Sequence, residues 1–210
     1  ITGAISSGAN TAAITNNSSN GITGAISATT GDLDVINTSG TITGNITLGS
    51  NASSSLALNG GSVVGNLVLN NTAQTVTFAG GSLAGTISGA GNVVINTSLV
   101  TLNGNISSLT ALTINAGNSL NAASHNNSIA ATTITLNNNS VLTLGSGTVS
   151  GTVTGFSSNI GTLNLNSSIT TASGTLLGGS NGLLAVNVAN GANITAGDSI
   201  RAVTVTIGQG

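Results

Sequence analysis

A five-residue pattern, apolar-x-Gly-x-apolar, returns along this chain at an almost fixed interval. It reads Ile1-Thr-Gly3-Ala-Ile5, Ile22-Thr-Gly24-Ala-Ile26, Ile42-Thr-Gly44-Asn-Ile46, Val63-Val-Gly65-Asn-Leu67, Leu83-Ala-Gly85-Thr-Ile87 and Leu102-Asn-Gly104-Asn-Ile106. The intervals between its glycines are 21, 20, 21, 20 and 19 residues. A period of this length is the mark of a solenoid, in which each unit hides its apolar side only by stacking on the next. After Gly104 the phase loosens. The next clear match, Val149-Ser-Gly151-Thr-Val153, lies 47 residues on, two coils plus a few residues. The region of Leu120 holds a degenerate unit, and Ile194-Thr195-Ala196, with Gly197 shifted by one, is a last echo. The chain is therefore read as one repeat domain over 1–210, with regular coils over 1–110 and less regular ones over 111–210. Gly3, Gly24, Gly44, Gly65, Gly85, Gly104 and Gly151 are its structural repeat positions.

Within a unit the apolar residues come in very short runs. Between Gly65 and Gly104 these are Leu67-Val-Leu69, Thr75-Val-Thr-Phe78, Leu83 to Ile87, Asn92-Val-Val-Ile95 and Leu99-Val-Thr-Leu102, separated by Asn and Gly. Runs of three to five residues are too short for a sandwich or barrel, but they fit the sides of a parallel β-helix. The fold class is thus all-β, a β-solenoid of about 20 residues per coil and roughly ten coils, with Ile, Val and Leu stacked inside. At about 4.8 Å per coil such a rod is about 50 Å long. Gly and Asn tolerate positive φ at low cost and suit the corners. Asn-Gly pairs at Asn20-Gly21, Asn59-Gly60, Asn103-Gly104, Asn181-Gly182 and Asn190-Gly191 mark such places. Asn side chains can also hydrogen-bond from coil to coil. Proline, which would remove a ladder donor, is absent.

Composition removes the alternatives. Charged residues are 2% of the chain, against roughly 25% in ordinary domains, and helix surfaces are normally built from the residues missing here. Disorder pairs low hydrophobicity with high net charge, whereas this chain is 39% hydrophobic with a formal net charge of −2. There is no cysteine for a disulfide and no apolar run of the length of a membrane helix. Two phenylalanines cannot make the aromatic girdles of a membrane barrel. A nucleic-acid surface needs a basic stripe, and Arg201 is the sole basic residue of the Lys/Arg type. Near-zero charge favours an anchored or assembled molecule over a freely diffusing one.

The residues able to carry chemistry are few. His125 is the single histidine, in an Asn-rich stretch, and reads as a loop residue. Asp32, Asp34 and Asp198 are the acids. Asp32-Leu-Asp34 puts two carboxylates on one strand face, which reads as two exposed acids at a turn, since the Gly-Gly-x-Gly-x-Asp repeats of calcium-binding β-rolls are missing. Asp198 and Arg201 are spaced for a weak surface pair. No serine has a base to form a triad. The chain is therefore expected to have no catalytic, metal or cofactor site and no small-molecule substrate. Thr-x-Thr pairs at Thr41/Thr43, Thr75/Thr77, Thr133/Thr135, Thr152/Thr154 and Thr204/Thr206 suggest an ice-binding face only if they stack, and only the pairs at 133 and 152 are one coil apart.

The runs Gly21-Ile-Thr-Gly-Ala-Ile26, Gly40-Thr-Ile-Thr-Gly-Asn-Ile-Thr47 and Gly80-Gly-Ser-Leu-Ala-Gly-Thr-Ile87 resemble passenger domains of bacterial autotransporters, in particular rickettsial outer-membrane surface antigens. The chain departs from that family in its near absence of Lys and Asp. The resemblance implies a secreted β-helix displayed on the outer membrane by a separate C-terminal barrel, often acting in adhesion. The expected role is thus a non-enzymatic, extracellular, surface-displayed structural or adhesive segment, with a host surface or matrix component as partner. Ile1 falls inside a repeat and 202–207 reads as a strand, so the chain is expected to be a piece of a longer solenoid or to stack on copies of itself through its coil ends, as in a filament or surface layer.

Overall fold

The computed structural model describes residues 1–123 and 128–208. It is all-β, a parallel β-solenoid of about nine turns with about 21 residues per turn. Every turn crosses three faces. One face is a ten-stranded parallel sheet, from Ile22–Thr23 at one end to Ala202–Ile207 at the other. The other two are limbs of a single 16-stranded sheet, one limb starting at Ile5–Ser6 and the other at Ala12–Asn16. The limbs are separate strands in the first coils. They merge in Ile106–Ile114, Ile129–Leu136 and Gly147–Gly155, which run through the corner without a break. Ser108, at φ 62°, takes the bend in the first of these, and the register slips at the same corner between Ile106 and Leu109 and between Ala130 and Thr133.

The sequence sets this local structure by alternation. Strands such as Ser55–Leu58, Thr75–Phe78 and Thr162–Leu165 place every second residue in the bore and the intervening one outside. Parallel pairing then aligns the inward residues. One such column is Ile14, Val35, Leu56, Val76, Val93, Leu112, Ile134, Val153 and Leu177. From Val35 onward each member is buried. At about 1.5–3 kcal/mol for each fully buried aliphatic side chain, columns of this kind are the main stabilising term. A two-residue strand has no stability of its own, so each coil depends on its neighbours.

Three of the short runs read from sequence, Leu67–Leu69, Thr75–Phe78 and Asn92–Ile95, are strands with those limits. The stretch from Leu83 to Ile87 is not one strand. Ser82–Leu83 belongs to the ten-stranded sheet and Ile87–Gly89 to the other, and Gly85 is the corner between them. Leu99 lies just outside Val100–Leu102 and is exposed.

Candidate functional site

Six of the seven repeat glycines form one corner column. A Cβ placed on Gly24, Gly44, Gly65, Gly85 or Gly104 would collide with the carbonyl oxygen of the glycine one coil earlier. For Gly65 the carbonyl carbon of Gly44 would be 2.5 Å away. Gly3 opens the column with free space beneath it. Windings about 4.8 Å apart leave no room for a side chain where the chain turns this sharply. Gly151 lies elsewhere. Val149 pairs with Ile129, and Ile129 with Ile106, so Val149 occupies the second apolar place of the motif, not the first. Gly151 sits where the two limbs merge, against Ala131 and Thr132. The glycine two residues before Val149 is Gly147, at φ 140°, close to the 142° and 146° of Gly24 and Gly44.

Two of the three acids are less exposed than expected, while Asp198 is exposed. Asp32 and Asp34 are both half-buried. Asp34 accepts a hydrogen bond of 2.6 Å from the Ser55 hydroxyl one coil on, while a buried oxygen of Asp32 has no hydrogen-bond partner among the described residues. Arg201 donates to the Ser180 carbonyl at 2.6 Å, and no Asp198–Arg201 ion pair forms. His125 lies outside the described residues. Among the described residues no three His, Cys, Asp or Glu side chains gather where they could hold a metal ion.

What the fold does assemble is a set of uncharged hydrogen-bonding ladders. On the outside of the ten-stranded sheet, Thr41, Ser62, Ser82, Thr101, Asn121, Thr143, Asn164, Asn187 and Thr206 are successive register partners. No member is apolar or charged. Ser82 donates to the Ser62 hydroxyl at 3.1 Å, and the Asn187 amide donates to Asn164 Oδ1 at 2.9 Å. A second ladder follows the glycine corner, where Asn45 Oδ1 accepts from Asn66 N at 2.9 Å and Asn66 Oδ1 from Thr86 N at 3.0 Å. The threonine pairs behave unevenly. Thr133 and Thr135 stack on Thr152 and Thr154, and Thr113 joins beneath Thr135. Thr75 and Thr77 instead lie between Ser55/Ala57 and Asn92/Val94.

Two polar clamps inside the corners carry no sequence motif. Asn16 donates to Asn37 Oδ1 at 2.8 Å, and Asn37 donates to the Ser62 carbonyl at 3.0 Å. Gly61 is small because a Cβ there would come within 2.5 Å of the Asn37 amide. Gln74, fully buried, accepts from Asn70 N at 2.8 Å and Asn71 N at 3.2 Å, and donates to the carbonyls of Gly49 and, at 2.8 Å, Asn51. Both residues are in phase with inward neighbours, Gln74 with Val76 and Phe78, Asn37 with Leu33 and Val35. That phase was the available signal. Gln74→Leu keeps the volume but leaves the buried Gly49 carbonyl without this partner, at about 1–3 kcal/mol for a buried group, and takes a bond from the more exposed backbone groups of Asn51, Asn70 and Asn71 at smaller cost. The expected result is a loss of about 2–3 kcal/mol, read from urea unfolding followed by circular dichroism.

The chain matches no protein-family model, no curated protein and no solved structure.

Proposed function

We propose that this chain is a structural segment of a secreted, surface-displayed bacterial protein, a stiff stalk with an adhesive outer face and no catalysis of its own. The observation that supports this most is the outer ladder from Thr41 to Thr206. Nine consecutive windings offer the same kind of uncharged donor and acceptor, and among the described residues no three acids, cysteines or histidines gather to mark one winding as a metal or reaction site. Such a surface suits many weak contacts in parallel, whose strength comes from repetition. The resemblance of the runs at 21–26, 40–47 and 80–87 to autotransporter passengers agrees with export and display. The test is binding of the purified rod to matrix-coated surfaces and to host cells. Retention that falls by about tenfold or more when Ser82, Asn121 and Asn164 are all replaced by Asp is expected, because charges bring a desolvation cost to a contact made for neutral groups. Equal retention of both proteins, or none of either, would remove the adhesive role.

A second reading is self-assembly through coil ends. Negative-stain microscopy separates the two, since long uniform fibres belong to self-assembly and short single rods to a stalk segment. The stacked threonines support a third reading, ice binding, which a thermal-hysteresis assay without activity would remove.

A further inference from the structure

Four of the five Asn-Gly pairs divide into two classes. Asn20-Gly21 and Asn181-Gly182 are tied down. Gly21 is buried and its N–H donates to the Ser18 carbonyl at 3.1 Å. Gly182 is also buried, with its N–H on the Gly178 carbonyl at 2.6 Å. The Asn181 amide in addition donates to the Gly155 carbonyl at 2.9 Å and the Phe156 carbonyl at 3.2 Å. Asn59-Gly60 and Asn190-Gly191 are different. All four of these residues are exposed, and among the described residues neither glycine N–H has an acceptor.

The distinction matters because Asn-Gly is the sequence most open to spontaneous deamidation. The backbone nitrogen of the glycine attacks the Asn side-chain carbonyl carbon. A C–N bond forms, its proton is lost to solvent, and ammonia leaves, giving a five-membered succinimide. Water then adds to either imide carbonyl and opens the ring to aspartate or isoaspartate. The reaction consumes one water, releases one ammonia and involves no oxidant. It requires a free glycine N–H and a side-chain amide able to swing toward it. A hydrogen-bonded, buried glycine denies the first requirement, and an amide clamped to two carbonyls denies the second.

We infer that Asn59 and Asn190 are built-in deamidation sites, and that the fold protects Asn20 and Asn181. Each event places a carboxylate on a surface that is otherwise nearly uncharged. Two events double the formal net charge of −2. Net charge governs how readily such molecules associate, so the surface becomes more self-repelling with age.

The test is prolonged incubation of the folded protein near neutral pH, followed by thermolysin digestion, mass-spectrometric mapping and enzymatic detection of isoaspartate. Asn59 and Asn190 are expected to convert about tenfold or more faster than Asn20 and Asn181, a difference that corresponds to a modest barrier change. In concentrated urea the four sites should convert at comparable rates. The Asn59→Gln, Asn190→Gln double variant should keep its isoelectric-focusing band over the same period while the parent moves to the acidic side. Conversion of Asn20 or Asn181 in the folded protein as fast as Asn59, or no conversion at Asn59 and Asn190, would overturn the inference.

Discussion

Gly65→Ala destabilises the solenoid by at least about 3 kcal/mol, although it adds one methyl group. The new Cβ meets the Gly44 carbonyl of the preceding coil, and that carbonyl is fixed by the ladder on both of its sides. Backbone cannot step aside as the end of a side chain can, so the two windings must part or the corner must open. Each alternative breaks hydrogen bonds and uncovers the apolar columns around Val63 and Leu67. Gly174→Ala is the control. Its φ of 79° also disfavours a side chain, but it has open space around it, so its expected cost is about 1–2 kcal/mol from conformation alone. Urea unfolding of both variants measures the difference. Equal losses would mean that the windings do not approach as closely at this corner as the glycine column requires. Because coils contact only their neighbours, the Gly65 defect should also separate the transition into stages, with the early coils melting first.

Phe78→Ala is the second large effect, at about 3–5 kcal/mol. Phe78 is the largest fully buried side chain, and its register partners are Leu58 and Ile95. Cavities cost most where the surroundings cannot collapse. Here the coils above and below are held at fixed spacing by their hydrogen bonds, so the space left by the ring stays open. Phe156, the other phenylalanine, is exposed, and Phe156→Ala is expected to change stability by no more than about 0.5 kcal/mol. A urea midpoint unmoved by Phe78→Ala would contradict a tightly filled bore.

Much of this architecture could be read from sequence because the corner imposes an identity, not merely a pattern. Only glycine fits at 24, 44, 65, 85 and 104, so the period is written in the identity of one residue. The strand limits of 75–78 and 92–95 were legible because each short run of β-branched and large apolar residues stops at a small or polar residue, Ala79 and Asn96. Leu83 to Ile87 misled because residues on either side of a corner point inward at the same spacing as residues on a straight strand. Gly147 does not show the motif because the apolar place two residues before it is taken by Gly145. Gly151 was drawn in by an accidental copy of the motif at the merged corner. In that half, strands of eight and nine residues replace the short pairs of the first half, and register slips absorb the irregular spacing. The outer ladder was not visible at all, because Ser, Thr and Asn are so common that their alignment shows only once the windings are placed in register. The buried amides of Gln74 and Asn37 were legible by phase alone, and polarity argued the other way.

Every bond that ties one winding to the next points along the long axis. Tension applied to the two ends of the polypeptide therefore does not strain these bonds together. It peels the outermost loop, frees about 21 residues, and then meets the next loop under nearly the same conditions. Sideways pressure on the three walls is opposed by all the loops at once. A molecule of this construction pays out length in even steps under pull, while resisting bending and crushing as a solid bar does.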